Sequence, residues 1–557
     1  MSTNTLTPRT TFPQGAAPEP GSPHEEYVAE RLTEVGTWGT DSLSDHVRRH
    51  AVERPDRIAY VEGDLRTTWR EFDAMADHYA RVLVSAGVAV DDRVAVLFPD
   101  GPTVHALYVG VERAGAIIVG IGPRAGLMEV RHLLQVSGAT TLVTAADLHG
   151  KDMVEMAATL VSEGLELARH VVVQPHAPFD VLVDGTPVAT DGPGLAEVSP
   201  ARQRGIGELF MLNSTSGTTG MPKCVTHNQN RWFYYHEQVL AAGEFSADDV
   251  FLALIPAPFG FGLWTSHFTP IILGATTVVM SRFNADEAMR LVEREGATVL
   301  TCVSTQFIMM LNSEAMGQAD TSSLRCMFTG GEAIPFDRAA RFEDSAGATV
   351  LNFYGSNETG TLSYTTFDDS RELRLTTGGR VVGEMQVRLF DEHGADVTAT
   401  GGPGQAACRG PATSWGYYAD RGANESLFTA DGWMLTGDIC TIDADGYLRV
   451  VDRKADFIIR GGKNISAAAV EEQVGRHPAV SMVAAVPVAD EVFGERVCAV
   501  IVLRAGHELD LADLQRVLAA NDVSKELWPE RLVFVDELPR ASGGKVAKSV
   551  LKKSLRG

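Results

Sequence analysis

The run Ser214-Thr215-Ser216-Gly217-Thr218-Thr219-Gly220-Met221-Pro222-Lys223 alternates hydroxyl side chains with glycines and closes on a lysine. Glycine lets a backbone approach a polyanion closely, so amide N–H groups and hydroxyls can donate together to phosphate oxygens, and a lysine adds a point charge. The apolar segment Leu209-Phe210-Met211-Leu212 precedes the run and reads as a strand feeding a loop. It is not a Walker loop: Gly217 and Gly220 stand too close together, and Lys223 is followed by Cys224 instead of Ser or Thr. Taken alone, the segment fits a phosphate loop or a flexible polar surface loop.

The surrounding sequence has to position such a loop. Asp41 to His50 is patterned as a helix with Leu43, Val47 and Ala51 on one stripe. Arg93 to Phe98 reads as a strand and Thr103 to Ala114 as a helix. Ile117 to Ile121, Thr141 to Thr144, His170 to Val173, Thr298 to Val303 and Thr349 to Phe353 read as further strands. The alternation predicts an α/β fold with largely parallel, buried sheets. After Asp438 the texture changes to short strands, helices over Ala467 to Arg476 and Leu511 to Ala520, and a strand at Leu532 to Val535. About a hundred residues of this kind suit a small α+β domain. The expected organisation is a disordered tail over 1–25, rich in proline, a large N-terminal domain over 26–453, and a small mobile C-terminal domain over 454–557 with its hinge near Ala455.

Composition narrows the class. The chain has 557 residues, 45% of them hydrophobic and 22% charged, as in globular proteins, and its length implies two or more domains. Against 48 basic residues stand 72 acidic ones, a net charge of −24, which argues against nucleic acid or an anionic membrane as the main partner. An anionic substrate must then be met by local positive groups. Six scattered cysteines (Cys224, Cys302, Cys326, Cys408, Cys440, Cys498) suggest neither a disulfide framework nor a zinc site. No apolar signal region opens the chain, and the longest apolar runs fall short of a membrane span, so a cytoplasmic enzyme is expected.

Four further segments follow in order. Phe353-Tyr354-Gly355-Ser356-Asn357-Glu358-Thr359-Gly360 is an aromatic-glycine turn at a strand end, and Thr436-Gly437-Asp438 places a carboxylate at a loop. Asp452-Arg453-Lys454-Ala455-Asp456 leads into Ile459-Arg460-Gly461-Gly462-Lys463, and Pro539-Arg540-Ala541-Ser542-Gly543-Gly544-Lys545 lies near the C-terminus. Each has a plainer reading: Asp438 as a turn aspartate, Tyr354 as core, Lys545 as one of a basic tail with Lys548, Lys552 and Lys553. Together, in this order and spacing, they resemble the adenylate-forming superfamily of acyl-CoA synthetases, peptide-synthetase adenylation domains and firefly-type luciferases, over roughly residues 40 to 555.

The resemblance implies an acid–CoA ligase. A carboxylate attacks the α-phosphorus of ATP, giving an acyl adenylate and pyrophosphate, and a thiol, usually that of coenzyme A, then displaces AMP. By similarity, Thr215, Ser216, Gly217, Thr218, Thr219, Gly220 and Lys223 hold the β- and γ-phosphates. Gly331, Glu332 and Ala333 wall the adenine slot, Tyr354 and Gly355 flank the ring, and Asn352 bonds the exocyclic amine. Asp438 and Arg453 take the ribose, Glu358 ligates Mg²⁺, Thr359 joins it in the catalytic turn, Lys545 acts during adenylation, and Gly462 lines the pantetheine tunnel. The acyl pocket is expected from His227, Trp232, Tyr235, His236, Phe259, Trp264, Val303, Ser304, Phe307 and Gly330, with His227, His236 and Arg231 able to meet a second polar group on the acid.

Three positions depart from the family pattern: Asn357 stands where Thr usually touches the α-phosphate, Ala455 where the hinge usually carries Asp or Lys, and Phe259 where His is common. The aromatic-rich pocket suits an aromatic, alicyclic or short-to-medium-chain acid, and it has no Asp for an α-amino group. The implied partners are that acid, ATP, Mg²⁺ and coenzyme A, with no nucleic acid, no membrane insertion, and a homodimer left open. Alternative readings are an enzyme loading a carrier-protein phosphopantetheine and a nucleotide-binding homologue without turnover.

Overall fold

A computed structural model describes residues 41–188, 195–215, 221–331, 334–453, 456–460, 463–490, 492–541 and 544–555, Lys463 and Asn464 by backbone alone. The tail expected over 1–25 and the hinge at Ala455 lie outside the described residues.

The apolar runs become strands because both faces of each are covered. Arg93–Leu97 sits between Thr141–Thr144 and Ile117–Ile121, all parallel, and Val94 to Leu97 and the whole of Ile117–Ile121 are buried. Continuous hydrophobicity, instead of alternation, is what a strand buried on both sides requires. These belong to an eight-stranded sheet that continues through Leu209–Ser214 to Cys224–Asn228 at its edge. A nine-stranded sheet carries Thr276–Val279, Val250–Ala253, Val299–Thr301, Cys326–Gly330 and Thr349–Ser356 in parallel order.

The helix Pro102–Arg113 is buried along its full length. Proline at its first position costs no hydrogen bond there. Gly110 lets it lie against the helix Trp69–Ser85, since a Cβ would come within 2.8 Å of Tyr79. Its last residue, Arg113, is buried but neutralised by Asp73 and Asp77 at 2.5 and 2.7 Å.

A third sheet, four-stranded and antiparallel, joins Gln386–Phe390, Gly404–Arg409, Met434–Ile442 and Leu448–Arg453. Asp438, expected at a loop, lies within one of these strands. Gly437, at φ +80°, and a register shift between Ile439 and Cys440 kink the strand there and turn the carboxylate out of the ladder.

The small C-terminal unit is built on the hairpin of Val480–Asp490 and Gly494–Leu503, with Arg531–Phe534 added in parallel. Alternation sorts its side chains. Val497, Ala499 and Ile501 pack under the helices Ala467–Gly475 and Leu511–Ala520, while Cys498 and Val500 pack with Leu551 of the helix Lys548–Ser554. Lys548 and Lys552, which could have been solvated tail residues, pair with Glu471 and Asp456 at 2.8 and 2.9 Å and hold that last helix down.

The two units meet through polar contacts. Arg338 of the large unit, 8% exposed, donates to the carbonyls of Gly475 and Val480, both at 2.8 Å. Arg476 pairs with Asp337 at 3.0 Å, and Arg504 donates to Asn312 at 2.7 Å. A hydrogen bond from a charged donor contributes about 1.5–3 kcal/mol. Arg338→Ala should therefore loosen the docking by about 2 kcal/mol, read as roughly thirtyfold faster hydrogen exchange around Gly475 to Val480 without a lower thermal midpoint for the large unit.

Candidate active site

Ser214, Gly330 and Ser356 end parallel strands of the two large sheets, and ligands of open α/β sheets are held in the cleft outside such carboxyl ends. Asp438 anchors one end. Its Oδ2 accepts from the Tyr354 hydroxyl at 2.7 Å and its Oδ1 from Arg453 Nε at 3.2 Å. Tyr354 is buried, which drives its phenol pKa well above the ordinary value and keeps the O–H a donor. Asn352 spends its amide N–H on the Thr377 carbonyl at 2.6 Å, leaving Oδ1 as the acceptor an exocyclic amine needs.

At the other end, Thr215 and Lys223 close the base of the glycine-rich run. The Thr215 N–H donates to the Lys223 carbonyl at 2.9 Å, and the Lys223 N–H donates to Thr215 Oγ1 at 3.0 Å. Ser216, Gly217, Thr218, Thr219 and Gly220 lie outside the described residues, as do Glu332, Ala333 and Gly462. The Lys223 ammonium sits 4.7 Å above the Tyr417 ring, and the Tyr417 hydroxyl donates to Glu358 Oε1 at 2.8 Å. Burial and the Glu358 charge both push the Tyr417 phenol pKa up. Glu358 Oε2 has no partner among the described residues, so a hard, oxygen-seeking cation such as Mg²⁺ fits here with one carboxylate, phosphate oxygens and water. Thr359 does not reach the cleft. It is 2% exposed, and its hydroxyl closes the turn by accepting from the Ser356 N–H and donating to the Gly360 carbonyl.

Lys545 comes from the small unit. Its loop is tied by the Ala541 N–H to the Lys545 carbonyl at 2.8 Å, and it rests near Val303. The ammonium donates to the Gly331 carbonyl at 2.5 Å. Gly331 has φ +80°, and a Cβ there would stand 2.8 Å from Lys545 Nζ, so only glycine leaves the path open.

Between these ends lies an aromatic wall. Phe353 meets Phe261 at 4.7 Å, Trp264 at 5.0 Å and Phe328 at 5.4 Å between ring centroids, and Gly330 has no room for a side chain because the Phe353 ring occupies it. Trp232 and Tyr235 stack at 5.1 Å, and Tyr235 meets Trp264 at 5.6 Å. Phe259 packs with Ile255 and Val303, and Ser304 opens the helix after Val303. Other expected lining residues lie elsewhere. Phe307 is fully buried against Phe342 in the core behind the nine-stranded sheet. His236 stands beside Thr269 and His46, with burial holding its pKa down at about 4. Arg231 is turned inward onto the carbonyls of Ala412 and Asn357, at 2.8 and 2.9 Å, and onto His227, away from any substrate group.

Comparison with known proteins identifies the family. The model of the AMP-binding enzyme family matches residues 47–418, and that of the AMP-binding enzyme C-terminal domain matches 469–545. The chain belongs to the adenylate-forming superfamily of AMP-binding enzymes. It is 32% identical to 2-hydroxy-7-methoxy-5-methyl-1-naphthoate–CoA ligase of Streptomyces carzinostaticus, over 96% of this chain and 98% of that one. It is 28% identical to the medium-chain fatty-acid–CoA ligase of Escherichia coli, over 93% and 91%. The structure of the anthranilate CoA ligase AuaEII with anthranoyl-AMP superposes with a TM-score of 0.82 at 22% identity, covering 93% and 98%, and so shares the fold.

Tyr417 escapes sequence reasoning, although the aromatic pair in Gly416-Tyr417-Tyr418 is a signal of sorts. Its ring lies under the Lys223 ammonium and its hydroxyl donates to Glu358. Tyr417→Leu removes a cation–π contact of about 0.5–2 kcal/mol and should weaken ATP binding, by calorimetry, roughly 2- to 30-fold with or without Mg²⁺. Tyr417→Phe keeps the ring and should lower only the gain in affinity that Mg²⁺ confers.

Proposed function

We propose that this enzyme is an ATP- and Mg²⁺-dependent acid–CoA ligase acting on an aromatic carboxylic acid. The observation that carries the reading is the Lys545 ammonium at Gly331, in a cleft between the Asp438–Tyr354 pair and a wall of aromatic rings. Aromatic pairs gain about 0.5–1.5 kcal/mol beyond burial, which favours a ring over a flexible chain beside such a wall. The naphthoate-activating relative supports the same choice.

In the first half-reaction a carboxylate oxygen bonds to the α-phosphorus and the bond to the β-phosphate bridging oxygen breaks. Asp438 and Arg453 fix the ribose, Tyr354 and Asn352 the adenine, and Lys545 bridges the acid's oxygen and the α-phosphoryl group as negative charge gathers there. Mg²⁺ at Glu358, when bound, supplies neutralisation of the departing pyrophosphate. In the second half-reaction the CoA sulfur attacks the acyl carbon and AMP leaves. For that step the small unit rotates and Lys545 withdraws.

Removing one preorganised donor at the site of developing charge costs about 3–4 kcal/mol, roughly a hundred- to thousandfold in rate. Lys545→Ala should therefore abolish pyrophosphate release while thioester formation from supplied acyl adenylate persists; equal loss of both half-reactions contradicts the role. A pyrophosphate-release screen over benzoates, naphthoates, alicyclic acids and fatty acids, with and without CoA, should peak on an aromatic acid. A fatty-acid peak would overturn the substrate class. Adenylate formed without any CoA thioester would move the acceptor to a carrier-bound phosphopantetheine.

A further inference from the structure

Asn357 occupies space that a neighbour gives up. Gly260, between Phe259 and Phe261, has no side chain, and a Cβ there would lie 2.0 Å from Asn357 Oδ1. The Gly260 N–H donates to that oxygen at 2.7 Å, and Asn213 Nδ2 donates to it at 3.3 Å. Behind Asn213 the chain continues inward. Asn213 Oδ1 meets His227 Nε2 at 2.6 Å, and His227 Nδ1 meets Arg231 Nη1 at 2.8 Å.

Chemistry fixes the direction of every link. A guanidinium only donates, so His227 Nδ1 accepts and the proton sits on Nε2. Nε2–H then requires the oxygen of Asn213, which turns the Asn213 nitrogen toward Asn357. A backbone N–H also only donates, so the Gly260 end demands an oxygen at the same place. Two donor-only ends thus agree on one orientation, and the –NH₂ of the half-buried Asn357 is left with no acceptor among the described residues. Burial, with Arg231 adding to it, holds the His227 pKa well below the ordinary value and keeps the ring neutral, as the relay needs.

We propose that Arg231, His227 and Asn213 are positioning residues forming a one-way hydrogen-bond relay, which locks the Asn357 amide so that its –NH₂ is a fixed donor to the α-phosphoryl oxygen of the nucleotide. The inference rests on the reading that acid and nucleotide meet in this cleft. It explains how an amide, which has an accepting end as well as a donating one, replaces a hydroxyl beside an anion. A hydroxyl rotates to suit; an amide turned the wrong way presents an oxygen to the phosphate and repels it.

The test compares AMP with adenosine by calorimetry on the full chain, and it needs no knowledge of the acid. A failed substrate screen and a failed relay are therefore separate results. His227→Met keeps the volume and removes both links. It should weaken AMP at least tenfold while leaving adenosine within twofold. His227→Gln can accept from Arg231 through Oε1 and donate to Asn213 through Nε2, so it should restore AMP affinity to within about threefold of the parent. Asn213→Leu, of similar size and uncharged, should lose AMP affinity as His227→Met does, and serves if the latter does not fold. The proposal falls if the AMP-to-adenosine ratio is unchanged in both His227→Met and Asn213→Leu. It falls equally if Gln and Met at position 227 lower the ratio alike, or if AMP and adenosine weaken together.

Discussion

One ammonium group crosses from the small unit into the cleft and ends on the backbone oxygen of Gly331, and the arrangement of the two units is built around that crossing. A chain with a net charge of −24 has no field that attracts a polyphosphate, so positive charge must be delivered locally. Other cations follow the same logic. Lys223 lies over a neutral ring, and Arg231 is buried on carbonyls and a neutral imidazole, with no carboxylate within 4 Å among the described residues. Away from the cleft several buried or half-buried cations are paired with carboxylates: Arg113 with Asp73 and Asp77, Arg325 with Asp249, Lys548 with Glu471. Burial draws the Arg231 pKa down to about 10, which still leaves it charged at neutral pH.

How far the sequence could be read follows from the same physics. The parallel strands are legible because burial on both faces writes them as unbroken apolar runs, and Arg93–Leu97 and Ile117–Ile121 fall within a residue of their expected bounds. The third sheet is legible only at Leu448–Arg453, because strands such as Gln386–Phe390 are short, half-exposed and mix Gln and Arg with Val and Leu. Site residues that neighbour one another in sequence, such as Tyr354 and Glu358, announce themselves through spacing. Residues contributed singly by distant segments do not: Tyr417 reaches Glu358 across 59 positions, and Asn213 reaches Asn357 across 144.

The misplaced pocket residues have geometric causes. A helix turns about 100° per residue, so Tyr235 points to the aromatic wall while His236, the next residue, points to Thr269 and His46 instead. Phe307 projects from its helix toward Phe342 and the core, a face that composition alone cannot distinguish from the cleft side. Thr359 belongs to a recognisable motif, yet a hydroxyl beside a tight turn is more useful closing that turn than facing solvent.

The junction between the units argues for movement on energetic grounds. Among the described residues every cluster of buried apolar side chains belongs wholly to one unit or the other. What spans the junction is a set of discrete polar links, from Arg338, Arg476 and Arg504. Opening an apolar core exposes its whole buried area to water, whereas each polar link released here costs only about 1.5–3 kcal/mol because donor and acceptor are re-solvated. Polar links also require particular partners, so they favour a few definite arrangements over a continuum. The mechanism proposed above, in which Lys545 enters for one half-reaction and withdraws for the next, calls for definite registry without a shared apolar core, and the residues at this junction are of the type that provides it.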